Sequence, residues 1–291
     1  MKIAFIGLGV MGFPMAGHLA NAGYDVCVFN RTQEKAERWL NAYKGRAAST
    51  PALAAKYADV VLLCVGNDDD VRNVTYGENG VFSQMKSGST LIDHTTTSAG
   101  LARELYSAAT AQGLSFLDAP VSGGQAGAEN AKLTIMLGGE EASYSKASKI
   151  LDVYAVKHAL MGNAGNGQLT KMVNQICIAG VVQGLSEALH FAQQADLDTS
   201  KVIDVISKGA AQSWQMENRA STMVKNAFDF GFAVDWMRKD LGFVLDEAKQ
   251  NNSRLPITAL VDQFYAQVQA NGGGRYDTSS LISLLNKGSH D

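Results

Sequence analysis

The feature that most constrains this chain is a short glycine-spaced run, Gly7-Leu8-Gly9-Val10-Met11-Gly12. It follows the apolar run Lys2–Ile6 directly and precedes a segment of helical character, Pro14–Ala22. In a strand–turn–helix unit the first glycine permits the tight turn. The second lets the backbone approach a pyrophosphate, and the third lets helix pack closely on strand. The pyrophosphate then rests at the positive end of the helix. Nucleotide binding is expected here, with contacts from Gly7, Leu8, Gly9, Val10, Met11 and Gly12.

The rest of the first half agrees. Asp25–Phe29, Val60–Val65, Thr90–Asp93, Ser115–Asp118 and Leu133–Leu137 are rich in β-branched, aromatic and Leu residues. Helical patterns at Gln33–Ala42, Asp69–Val74 and Ala99–Ala111 lie between most of them. Alternation of this kind implies βαβ units and a parallel sheet covered on both faces. After about Met161 the pattern changes. GNAGNGQ reads as a loop, and a long helix runs from Leu169 to about Gln194, with Met172, Val173, Ile176, Ala179, Val182 and Leu185 at helical spacing. Further helices are expected near Ser200–Ser207, Arg238–Lys249, Ile257–Ala270 and Thr278–Leu285.

The expected architecture is therefore α/β: a Rossmann-type, doubly wound parallel sheet in residues 1–162, then an all-helical domain, 163–291, built on a long interdomain helix. Ile176–Leu189 reads as a buried helix. Because that helix is apolar on most of its circumference, both domains or a second subunit must cover it, so a homodimer or homotetramer is expected.

Composition excludes several classes. Charged residues make up 18% and the formal net charge is −3, which leaves no basic footprint for nucleic acid and no polybasic patch for a membrane. The apolar amino terminus is too short and too broken by glycine for a signal peptide. Cys27, Cys64 and Cys177 fall in core-like runs without paired spacing, which points to a reducing cytoplasm and away from a zinc site. No metal is expected.

The end of the second strand bears on which nucleotide binds. An NAD-selective site usually carries Asp or Glu there, for the ribose hydroxyls. This chain has Asn30-Arg31-Thr32. Without the carboxylate a 2′-phosphate is not repelled, and Arg31 offers a planar charged group to pair with it. The plain alternative is a solvated arginine opening the next helix. NADP(H) is the expected cofactor, with NAD(H) as a second possibility.

Three further segments carry the chemistry. In Asp118-Ala119-Pro120-Val121-Ser122-Gly123-Gly124, a hydroxyl and unencumbered amides suit a carboxylate, though a Gly-rich loop of no special purpose reads the same. Lys171 and Asn174 stand at i and i+3 on the apolar helix, where they need a polar partner or a cavity, unless the lysine snorkels to water with the asparagine at the surface. In Arg238-Lys239-Asp240-Leu241, Asp240 reads as a first-turn acid, while Lys239 either reaches the ligands or is solvated.

In GLGVMGFPMA, DAPVSGG, GNGQLTKMVNQ and KDL, taken in that order, the chain resembles the β-hydroxyacid dehydrogenase family across its whole length. That family includes 3-hydroxyisobutyrate dehydrogenase, tartronate semialdehyde reductase and the succinic and glyoxylic semialdehyde reductases. The resemblance implies hydride transfer between a nicotinamide and a small 3-hydroxy acid or its carbonyl partner. It implies that Ser122, Gly123 and Gly124 hold the substrate carboxylate, that Lys171 is the catalytic acid/base, and that Asn174 assists it. It also places Lys239 beside nicotinamide and substrate, and Val65 with Thr95 or Thr96 beside the nicotinamide riboside. Two departures stand out: Gln175, where some members have Asn, and Gly66-Asn67-Asp68, where "VPD" or "LPD" is usual.

Rival readings are an imine reductase-like enzyme, against which Lys171 counts, and a non-catalytic NADP-binding module, against which the intact Ser122, Lys171 and Asn174 set counts. Trp214 is read either as a residue that closes over the substrate and sets its size, or as a helix-packing aromatic.

Overall fold

A computed structural model describes residues 1–285; residues 286–291, the end of the expected second domain, lie outside the described residues. The chain divides into two compact units, Met1–Lys171 and Met172 onward.

The first unit is built on one sheet. Its strands are β1 (Lys2–Ile6), β2 (Asp25–Phe29), β3 (Arg46–Ala47), β4 (Val60–Leu63), β5 (Thr90–Asp93), β6 (Ser115–Asp118), β7 (Val121–Ser122), β8 (Leu133–Gly139) and β9 (Ala155–Leu160). They lie in the order β3-β2-β1-β4-β5-β6-β8-β7, with β9 beside β8. The pairs from β3 through β6 are parallel. Residues of β4 and β5 are buried throughout, as a sheet covered on both faces requires. The helices are α1 (Gly12–Asn21), α2 (Gln33–Ala42), α3 (Pro51–Ala55), α4 (Asp68–Thr75), α5 (Ala99–Ala111), α6 (Gly124–Glu129) and α7 (Glu141–Leu151). One core packs Ile3, Phe5, Leu62 and Ile92 with Leu19 and Trp39; a second packs Ile6, Val61, Leu63 and Leu91 with Leu101 and Leu105.

The sheet is mostly parallel, as expected from the sequence, with one antiparallel stretch. β8 runs antiparallel to both β6 and β7. β6 and β7, separated only by Ala119 and Pro120, run on in one direction, and the returning β8 pairs with both in one continuous register.

The boundary between the units falls inside the long helix α8 (Asn166–Gln194). The second unit continues with α9 (Thr199–Ile206), α10 (Trp214–Val224), α11 (Val234–Asn251), α12 (Pro256–Ala270) and a 3-10 helix over Thr278–Leu284. No strand follows Leu160 among the described residues. Side chains cap several helix starts: Asn67 on α4, Ser98 on α5, Asp198 on α9 and Ser213 on α10. The unit's core packs Ala179 and Val182 of α8 against Met237, Leu241, Val261 and Tyr265.

Two expectations about α8 are corrected. Ile176–Leu189 is not buried all round: Val173, Cys177, Val181, Gly184, Ala188 and Phe191 form an exposed stripe at spacings of three and four, with Val173 at 60% and Phe191 at 71%. Cys177 is accordingly exposed, and Cys27 and Cys64 are only half-buried, because apolar runs on these elements present two faces and the thiols stand on the less covered one.

Candidate active site

The glycine turn stands where strand order reverses, after β1 and beside β4, the place where such sheets open a crevice at their carboxyl ends. Gly7 adopts φ +100, and a Cβ there would lie 2.2 Å from the Cys64 carbonyl. Gly12 is as tightly held, since its Cβ would lie 2.0 Å from Gly7 O. Gly9 differs: a Cβ there would meet nothing within 4 Å. That leaves room for a ligand to approach the backbone. Met11 supplies no side-chain cap to α1; in its first turn Phe13 N–H donates to Gly9 O at 3.0 Å and Pro14 has no N–H, so Gly12 carries the amide that an anion could take. The turn therefore fits a dinucleotide pyrophosphate, with Leu8 buried beneath it and Val10 exposed at its tip.

Asn30 fixes the far wall. Its Oδ1 accepts from the Leu8 N–H at 2.9 Å and its Nδ2 donates to Thr32 O at 2.9 Å, so this amide ties the β2 end to the glycine turn. Arg31 is exposed and lies 3.2 Å from the Asp70 carboxylate.

Past β4, Val65 is half-buried and its N–H donates to Thr95 Oγ1 at 3.1 Å. Thr95 is turned inward, at 2% exposure, whereas Thr96 is partly exposed. The departure at Gly66-Asn67-Asp68 has a structural use. Asn67 caps α4, and Asp68 accepts from the Ser98 N–H and hydroxyl at 3.0 and 2.6 Å, tying α4 to the start of α5.

Asp93 and Asp118 stand opposite each other in register on β5 and β6. Both are buried, and desolvation raises both carboxyls, Asp93 to about 7. Asp118 caps the helix that carries Lys171: its Oδ1 accepts from Gly165 N–H at 2.8 Å and its Oδ2 from Gln168 N–H at 2.9 Å. The glycines of GNGQ are needed for this approach, since a Cβ on Gly167 would lie 2.5 Å from Met136 O and 2.7 Å from Asp118 Oδ2. Gln168, fully buried, then binds the next loop in two places. Its Nε2 donates to Thr95 O at 2.8 Å and its Oε1 accepts from Thr97 N–H at 3.1 Å. Lys171 follows one turn later and is 7% exposed. Neither Asp118 nor Gln168 was singled out from the sequence as a site residue. The only signal was the recurrence of polar residues where the chain must be buried.

Beneath the sheet end, His94 donates from Nδ1 to Ala119 O at 2.7 Å, so its Nε2 is the acceptor for Tyr154 OH at 2.9 Å. Desolvation lowers this imidazole to about 4, keeping it neutral in that role.

Ser122 is half-buried in β7; Gly123 and Gly124 are exposed, with φ +128 and +60. A Cβ on Gly124 would meet nothing within 4 Å.

In the second unit, Asn174 and Gln175 lie on α8, and Lys239 and Asp240 on α11. Asp240 is not a first-turn acid: α11 begins at Val234, and Asp240 is 2% exposed, accepting from Gln175 Nε2 at 2.6 Å. Lys239 Nζ is 3.2 Å from Asp240 Oδ1 and 5.6 Å from the ring centres of both Trp236 and Phe243. Trp214 is 55% exposed at the start of α10, with the Arg219 guanidinium 4.8 Å from its ring; Arg219 in turn pairs with buried Asp277 at 3.2 Å. Trp214 is thus a half-exposed aromatic held by a cation.

Comparisons with known proteins agree with this geometry. Residues 2–162 match the model of the NAD binding domain of 6-phosphogluconate dehydrogenase. Residues 165–285 match that of the NAD-binding region of NADP-dependent 3-hydroxyisobutyrate dehydrogenase. An uncharacterized oxidoreductase of Shewanella frigidimarina is 60% identical over 98% of each chain. The 2-hydroxy-3-oxopropionate reductase of Escherichia coli is 34% identical over 98% of this chain and 97% of its own. A 3-hydroxyisobutyrate dehydrogenase of Mycobacterium tuberculosis, solved with L-serine, superposes with a TM-score of 0.89 at 30% identity, covering 98% of this chain and 99% of that one.

Proposed function

The chain belongs to the β-hydroxyacid dehydrogenase family, a nicotinamide-dependent oxidoreductase family acting on CH–OH donors, and on that premise we propose that it interconverts a small 3-hydroxy acid and its semialdehyde or keto acid with NADP(H), using Lys171 as general acid/base. The observation that carries this reading is the burial of Lys171 one turn beyond Gln168, on a helix start capped by Asp118, in the unit that holds the glycine turn.

A nicotinamide, when bound, would give hydride to the carbonyl carbon or accept it from the carbinol carbon. Lys171 Nζ, as a neutral amine, takes the hydroxyl proton during oxidation; as ammonium it returns that proton during reduction. Ser122 Oγ and the amides of Gly123 and Gly124 donate to the substrate carboxylate and so fix the distance of the carbinol carbon from the acid/base. Asn174 orients the reacting oxygen. Lys239 adds positive charge beside the acid substrate, and Trp214 bounds its far end.

Arg31 is the residue through which NADP(H) would be preferred. Its present partner, Asp70, is a surface carboxylate, and a 2′-phosphate carries more charge and more acceptor oxygens. The exposed α8 stripe supports a homodimer or homotetramer in which a second copy covers it, since an apolar stripe of this length is costly in water. The cytoplasm is the proposed location.

The test is a spectrophotometric screen of 3-hydroxyisobutyrate, serine, glycerate, 4-hydroxybutyrate and their carbonyl partners with both nicotinamides. Turnover of at least one pair, faster with NADP(H), is expected. No turnover of any pair would remove the proposal.

A further inference from the structure

Gln175 is 2% exposed on α8. Three side chains beside it form a series within the second unit. Asn174 Nδ2 donates to Gln175 Oε1 at 2.8 Å, Gln175 Nε2 donates to Asp240 Oδ2 at 2.6 Å, and Lys239 Nζ stands 3.2 Å from Asp240 Oδ1.

Which way an amide points is ordinarily ambiguous, because its oxygen and nitrogen are nearly alike in shape. Here chemistry removes the ambiguity. An ionised carboxylate only accepts hydrogen bonds, so the end of Gln175 that faces Asp240 must be the nitrogen. The second Nε2 hydrogen goes to Met237 Sδ at 3.6 Å. Gln175 Oε1 is therefore left facing Asn174, and an oxygen there demands the Asn174 nitrogen. The orientation set by one buried carboxylate passes through two amides in succession. Asn174 is left with its Oδ1 and one N–H turned away from Gln175.

We propose that Gln175 is a positioning residue for the reaction, transmitting the acceptor-only character of Asp240 to Asn174 so that the Asn174 amide holds one orientation. This rests on the reading of Asn174 as a residue that orients the reacting oxygen. Gln175 itself touches neither substrate nor cofactor in this role. Its length matters: an asparagine at 175 has one methylene fewer and cannot span from Asn174 to Asp240 on the same backbone. The same carboxylate holds Lys239, so Asp240 sets both the amide and the ammonium.

The test uses the full chain and four forms: wild type, Gln175→Met, Asp240→Asn and the double variant. Met keeps the length and removes the amide, while Asn at 240 restores the ambiguity by offering a donor as well as an acceptor. With the substrate pair found in the screen, each single variant is expected to lose about 10- to 100-fold in kcat, with the KM for the nicotinamide within about twofold. The double variant is expected to be no slower than the slower single one, because residues acting in one series are not additive. A second readout does not depend on turnover. In protein labelled with 15N at side-chain amides, the Asn174 pair, assigned by its loss in Asn174→Ala, is expected to shift in Gln175→Met and in Asp240→Asn. The proposal is overturned by kcat within about twofold of wild type in Gln175→Met, by losses that multiply in the double variant, or by an unmoved Asn174 resonance pair. Should Gln175→Met fail to fold, Asp240→Asn, which is isosteric, carries both readouts alone. If wild type turns over none of the hydroxy acids, the proposed function fails while the resonance readout still decides the series.

Discussion

The side-chain amide of Gln168 donates to the Thr95 carbonyl at 2.8 Å, one helical turn before Lys171. The same amide accepts from Thr97 N–H, so the loop after β5 and the helix bearing the amine are joined by a single buried side chain. Gln168→Leu would keep the bulk but leave one buried carbonyl and one buried N–H unpaired, at a cost of about 1–3 kcal/mol each. The expected outcome is a lower melting temperature together with weaker nicotinamide binding, read by calorimetry and by fluorescence titration. Unchanged values of both would show that the loop holds its place without the amide.

Arg31 is predicted to separate the two cofactors. With the guanidinium removed in Arg31→Ala, the KM for NADPH should rise about tenfold or more, the worth of one charge-assisted hydrogen bond, while the KM for NADH stays nearly fixed. Asp70→Asn should do the opposite in mild form, since it frees Arg31 from a surface partner. Equal effects of Arg31→Ala on both cofactors would mean that it does not read the 2′-phosphate.

Trp214→Ala should change which hydroxy acid is preferred while leaving stability within about 1 kcal/mol, as suits a half-exposed ring whose main neighbour is a cation. Steady-state kinetics on the screened acids, paired with a melting curve, checks this. A large drop in melting temperature with unchanged preference would reassign Trp214 to the scaffold.

Asp93 gives a pH dependence. Its ordinary value of 3.8 is raised to about 7 in the folded protein, by burial above all and further by Asp118 and Asp68, against the opposing hydrogen bonds from Thr95. Below about pH 4 both folded and unfolded chains hold the proton. Between about pH 4 and 7 the unfolded chain loses it and the folded chain keeps it, so this group's contribution to stability falls as pH rises through that window and levels off above it. Asp93→Asn keeps the acceptor for the Thr95 N–H and removes the charge. Denaturant midpoints on either side of the window should therefore differ less in the variant than in wild type. An equal pH dependence in both would place the effect elsewhere, Asp118 being the nearest candidate.

How much of this was legible in the sequence depended on whether local chemistry or distant packing fixed each element. The glycine turn was legible because its spacing is local, with Gly12 forced by Gly7 O five residues before it, although the contact that forces Gly7 comes from Cys64 on the neighbouring strand. The beginning of α11 was not. Its N-cap is Ala233, which offers no side-chain hydrogen bond, so nothing marked a start before Arg238 and Asp240 was misread as a first-turn acid. By contrast Ser213 caps α10 through the Met216 N–H, a signal that was present and passed over. β9 was missed because its middle residues, Val156 and Lys157, are exposed and carry no apolar pattern. Gln168 and Gln175 were unreadable as site residues because a glutamine in a helix is ordinary; only the pairing of Gln168 with the Thr95–Thr97 loop and of Gln175 with Asp240 gives them a role.

The central claim is that the amine of one buried lysine moves the proton. Lys171→Ala, compared with wild type on the hydroxy acid that is turned over fastest, tests it most directly when kcat and the Kd for NADPH are measured in the same preparation. The account predicts a loss of about 100- to 10,000-fold in kcat with the Kd within about twofold. Turnover near that of wild type in the folded variant would contradict it.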